Sequence, residues 1–200
     1  MGFGLIFIGY VTLLILKIMP PAMAIGSFVM YRGFKKLEKY DKYFALASYL
    51  SIALTVYYAV YTLFWLRFPF DVFNTTAFTL TDDIVYYALL LAFHICLYKA
   101  LENISRYCGY DKGVKRAYMS RVLMAMTYVL TAANIPLRIM AINSYLPLAA
   151  LICYFAWIMY TGIFIYGCYM RIATDEIIEE EEKKLREYDE KYSFRTKKKK

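Results

Sequence analysis

IVYYALLLAFHICLYKAL, residues 84–101 of the chain, is an almost unbroken apolar run with one histidine, His94, near its centre. Eighteen residues at 1.5 Å each cover about 27 Å as a helix, close to the roughly 30 Å of hydrocarbon in a bilayer. The run lacks the two-residue alternation of a barrel strand, and open sheet edges are not tolerated in lipid, so it reads as a transmembrane helix. Four more stretches pass the same test: Phe3–Tyr31, Tyr43–Leu66, Tyr118–Ala141 and Leu146–Met170. With 61% hydrophobic residues in 200 and a mean hydropathy of +0.42, the chain reads as an all-α polytopic integral membrane bundle of about five transmembrane helices. The first stretch is overlong and contains Lys17 and Pro20-Pro21, which predicts a kink or break.

Loops rich in lysine and arginine resist translocation, and here the asymmetry is large. Segments 32–42, 99–121 and 171–200 hold five, six and ten of the 24 basic residues, leaving only Lys17, Arg67 and Arg138 elsewhere. With five spans these segments share one side, the cytoplasmic one, so the expected orientation is N-terminus out and C-terminus in. The N-terminal sequence has no basic n-region and no evident cleavage site, so the first span is expected to stay as an anchor. The net charge of +8 then serves topology and contact with anionic lipid headgroups. A nucleic-acid partner is not expected, because no base-stacking or groove-reading module accompanies the charge. The plasma (cytoplasmic) membrane is the expected location, or the endoplasmic reticulum in a eukaryote, where the terminal lysines resemble a dilysine retrieval signal.

The ionisable residues within the spans are the candidate functional positions, because charge at that depth is costly and usually faces a bundle interior or a water-filled path. His94 is the first, either a hydrogen-bonded neutral imidazole or a proton-linked group. Lys17, one turn before the Pro-Pro break, either marks a discontinuous-helix substrate site or snorkels to the outer interface. Asn134 and Arg138 share a helix face by i, i+4 spacing. Arg67, Asp82 and Asp83 flank the loop 67–83 and are expected to form, with Arg138, an outer cluster that clamps helix ends or lines an entrance. Asn74-Thr75-Thr76 in that loop matches a glycosylation sequon. Small-residue faces at Ala22/Gly26 and Ala47/Ser51 suit close helix contact.

No cofactor or metal is expected: Cys96, Cys108, Cys153 and Cys168 form no C-x-x-C pair, and there is one histidine. The chain also lacks the H-E-x-x-H, G-x-S-x-G and phosphate-loop patterns, so an enzyme is not expected. After the bundle, 1–174, the composition of 175–200 changes to a charged helix with favourable i, i+4 pairs, ending in a polybasic tail. Ile178, Leu185, Tyr188 and Tyr192 leave a thin apolar stripe there, suited to docking a partner protein or a second copy. Two functions are expected from these features. One is a transport or transport-associated component built around the midplane polar residues. The other is a structural or interaction subunit that docks partners through its C-terminal helix.

Overall fold

The computed structural model describes residues 2–13, 19–67, 76–139, 145–172, 183 and 186, excluding the side chains of 65, 67, 76–80 and 135–139. They form six α-helices: α1 (Gly2–Val11), α2 (Pro20–Leu37), α3 (Lys42–Arg67), α4 (Thr76–Tyr107), α5 (Asp111–Ile139) and α6 (Leu146–Arg171). No strand occurs among the described residues. Each helix packs on its chain neighbour, α1 closes the ring against α6, and α4 also reaches α6.

The local sequence explains where helices begin and end. Prolines start α2 and α6, where the missing N–H costs nothing and φ is already helical. The Asp41 carboxylate accepts the Tyr43 N–H at 2.7 Å and so caps α3. α4 is terminated by the turn at Gly109, whose φ of 64° lies in the left-handed region, while the Tyr110 N–H donates to the Ser105 carbonyl at 2.7 Å. That Schellman-type turn reverses the chain into α5 within a few residues.

Three helices, α3 over Lys42–Phe64, α4 over Thr81–Tyr107 and α6 over Leu146–Arg171, are long and apolar enough to cross a membrane. The outer surface is strongly apolar, with Ile25 66%, Leu63 66% and Val129 67% exposed, whereas His94, Ser51 and Ser120 are wholly enclosed. In water such an arrangement would expose large apolar patches at a steep cost. It is the arrangement of a membrane-embedded bundle.

The first apolar stretch departs from the expectation of one kinked crossing. The break near Pro20 is there, but the chain reverses at it. α1 and α2 are antiparallel: Gly2 lies against Gly33 and Leu37, and Gly9 lies against Gly26 and Met30. The cause is steric. Glycines on both helices let the backbones approach so closely that a Cβ on Gly9 would stand 2.4 Å from the Gly26 carbonyl oxygen. Gly2 therefore sits at the same end as the basic segment 32–42, and the single kinked crossing expected for residues 3–31 is corrected to an antiparallel pair of helices. A second correction concerns loop 67–83, because 76–83 form the first two turns of α4.

Candidate functional site

α4 carries a stripe of polar residues at intervals of four: Asp82, Tyr86, His94, Tyr98 and Glu102, with Leu90 filling the missing step. From Asp82 to Glu102 is about 30 Å of helix, the thickness of a hydrocarbon core. Four residues turn a helix by about 400°, so each step advances the stripe by about 40° and the whole series by about 200°. Successive residues consequently face different neighbouring helices.

At one end, the Tyr57 hydroxyl of α3 donates to Asp82. A turn further on, the Tyr154 hydroxyl of α6 donates to the Leu13 carbonyl at 3.1 Å, which leaves Tyr86 to donate to Tyr154, also at 3.1 Å. Tyr57, Tyr58, Tyr61, Tyr86 and Tyr87 pack ring to ring around this level, with centroids 5.1–6.2 Å apart. Such offset and edge contacts are favourable beyond the area they bury.

His94 lies at the middle, with no exposed surface. Its Nδ1 is 2.8 Å from the Leu90 carbonyl oxygen, and Nε2 is 2.7 Å from the Tyr10 hydroxyl of α1. A carbonyl only accepts, so Nδ1 carries a hydrogen and donates it to Leu90. Nε2 pairs with the Tyr10 hydroxyl, so both nitrogens are satisfied. Trp157 packs on it with ring centroids 4.4 Å apart, and Tyr10, Tyr98 and Phe93 complete an aromatic enclosure. Immediately below, the Trp157 indole N–H donates to the Tyr98 hydroxyl at 2.5 Å, and Tyr98 pairs with Thr161 at 2.7 Å.

At the basic end, Glu102 is 6% exposed. It accepts Arg106 at 2.7 Å through one oxygen and Arg121 of α5 through the other, while Lys99 stands 3.8 Å away. Asn103 donates to Asp41 at 2.8 Å, fastening α4 to the start of α3. Arg171 of α6 lies over the Tyr110 ring at 5.2 Å, and the Arg116 guanidinium lies against Gly167. Among the described residues no group of three His, Cys, Asp or Glu could hold a metal. All four cysteines are free thiols.

The sequence-predicted positions fare unevenly. His94 is central, and Asp82 is engaged by Tyr57 in a contact not foreseen. Asp83 is half-buried beside it in sequence. Asn134 lies on α5 with its Oδ1 enclosed and unpartnered among the described residues. The side chains of Arg67 and Arg138, and with them their expected cluster with Asp82 and Asp83, lie outside the described residues. Lys17, Ile178, Leu185, Tyr188 and Tyr192 also lie outside, and of the C-terminal segment Lys183 and Arg186 are helical and exposed. Ala47 and Ser51 are buried, and Gly26 packs against Thr12.

The i, i+4 spacing places Tyr98 on the face of His94, but sequence reasoning passed over Tyr10, Trp157, Thr161 and Glu102. The signal for Glu102 was available one further i+4 step along the same face. Comparison with protein-family models, characterised proteins and solved structures finds no match.

Proposed function

We propose that this chain is a small multi-pass membrane protein that works as a structural or interaction subunit, its bundle a stiff unit holding the basic end at the cytoplasmic face. The orientation is supported by the basic segments 32–42 and 99–121, which meet at one end of the bundle together with Gly2 and Arg171. One observation carries the functional reading: the five polar residues of the α4 stripe are engaged by four other helices. Asp82 holds α3, Tyr86 and Tyr98 hold α6, His94 holds α1 and Glu102 holds α5. Of the residues that suggest a path through the membrane, His94 is thereby accounted for as a tie between helices. Partners would dock at the basic end and on the segment 175–200.

A transport or transport-associated role is the second reading, favoured by one feature. A groove of about 210 Å³ opens between α1 and α6, lined by Phe7, Val11, Ile158, Gly162 and the ring of Tyr10, which holds His94. An apolar solute dissolved in the membrane would reach the His94 partner from there.

Native mass spectrometry in mild detergent separates the two, comparing the intact chain with one truncated after Thr174. The interaction reading expects a protein partner that is lost on truncation, with the bundle's melting temperature unchanged. A truncation-insensitive assembly, with flux in liposomes that His94→Leu abolishes, would overturn it in favour of transport.

A further inference from the structure

The last turns of α2 present Arg32, Lys35 and Lys36 on one face, by i, i+3 and i+4 spacing. They line, with Tyr31, Val29 and Leu5 of α1, a groove of about 580 Å³ at the basic end. The floor exists because Gly2 and Gly33 bring α1 against α2, which sets Leu5 beside Val29. Val29 precedes Arg32 by three residues, about 4.5 Å toward the membrane interior. The groove is thus graded, apolar toward the bilayer core and cationic toward its surface, with a tyrosine ring at the boundary where headgroups lie.

Its charge is unbalanced. Lys35 pairs with Glu38 at 2.9 Å, which raises its ammonium above the usual lysine range and keeps it cationic. Arg32 and Lys36 have no carboxylate partner among the described residues. Three cations against one carboxylate leave a double positive excess over an apolar cleft.

We propose that this groove is a binding site for an anionic phospholipid, its phosphate held by Arg32 and Lys36 and the start of one acyl chain lying on Leu5 and Val29. The site rests on the chain lying in a bilayer, and it assigns to one groove a contact that net charge alone would spread over the whole basic end. The Arg32 guanidinium supplies paired N–H donors to two phosphate oxygens, and Lys36 adds a point charge.

The test is native mass spectrometry of the detergent-solubilised chain titrated with phosphatidylglycerol and, separately, phosphatidylcholine of the same acyl chains. One tight phosphatidylglycerol adduct is expected. Removing two cations in Arg32→Ala/Lys36→Ala should weaken it by roughly 30-fold. Arg32→Lys/Lys36→Arg should keep it, as should Lys112→Ala/Lys115→Ala elsewhere at the same end, and melting curves confirm that each variant is folded. Millimolar inorganic phosphate should fail to displace the lipid. Equal binding of phosphatidylcholine, equal loss in the Lys112/Lys115 variant, or displacement by phosphate would overturn the site. A chain that stays soluble without detergent would instead overturn the membrane reading, whereas a detergent-requiring chain without the adduct overturns only this inference.

Discussion

Gly9→Ala places one methyl group where α1 and α2 meet, and the structure sets the size of its effect. The added Cβ would stand 2.4 Å from the Gly26 carbonyl oxygen, 2.5 Å from Met30 Cγ and 2.8 Å from the Met30 backbone nitrogen, where ordinary contact begins near 3.4 Å. Met30 Cγ can swing aside, but the two backbone atoms cannot. α1 must retreat by about 1 Å, and a gap of that size forfeits up to half the dispersion energy of the contacts it opens. Overpacking of this kind costs about 1–3 kcal/mol, against which alanine regains up to about 1 kcal/mol of helix propensity over glycine. A net loss of about 1 kcal/mol is expected. For a chain of this size that lowers the melting temperature by about 2–4 °C. The matched control is Gly162→Ala, whose Cβ would meet only the Tyr10 ring, at 4.0 Å. It should be neutral or stabilising by up to about 1 kcal/mol. A thiol-reactive dye in detergent reads both, because Cys168 is wholly buried until the bundle opens. If Gly9→Ala melts with the wild type, the antiparallel α1–α2 contact is wrong.

Tyr10→Phe leaves the buried Nε2 of His94 without its hydrogen-bond partner and should cost about 1–3 kcal/mol. In the same melt, a cycle with His94→Leu should show strong non-additivity, since the loss belongs to one shared bond. Glu102→Gln keeps the shape but removes the charge that Arg106 and Arg121 share; because both arginines are partly exposed, a loss of about 1–2 kcal/mol is expected. Arg121→Ala in the same background should then add little. Alkylation of the folded chain by a maleimide should modify exposed Cys108 and spare Cys168, and mass spectrometry after a short pulse would show the reverse if α4 did not end where Gly109 turns the chain.

Four of the apolar stretches were legible as helices because length and composition settle them: α3, α4, α5 and α6 follow the stretches at 43–66, 84–101, 118–141 and 146–170. The reversal between α1 and α2 was not. Pro20-Pro21 announces a break, yet a break is compatible with a kinked crossing or a hairpin, and the choice is made by Gly9, Gly26 and Gly33 meeting across the two helices. Those glycines are scattered in sequence, and nothing local says that they pair. The length of α4 was underestimated for a related reason: Asp82 and Asp83 resemble loop residues, but Tyr57 from α3 supplies the hydrogen bond that lets Asp82 stand inside a helix. His94 was recognisable from its depth alone, whereas Tyr10 and Trp157, the residues that surround it, look like ordinary membrane aromatics. Their roles depend on which helices are neighbours. Glu102 was masked by its place near a basic loop, where a carboxylate looks solvated; the structure encloses it instead.

The ends of the first helix offer the most direct test of the topology. A protease-cleavable tag placed before Gly2 and a membrane-impermeant maleimide aimed at Cys108 report the two positions from one preparation of intact cells expressing the chain. The six-helix arrangement with its basic end inside expects both to be protected in intact cells and both to react after permeabilisation. A tag cleaved from outside while Cys108 stays protected would mean that the first stretch crosses once, contradicting the α1–α2 hairpin and the shared basic end.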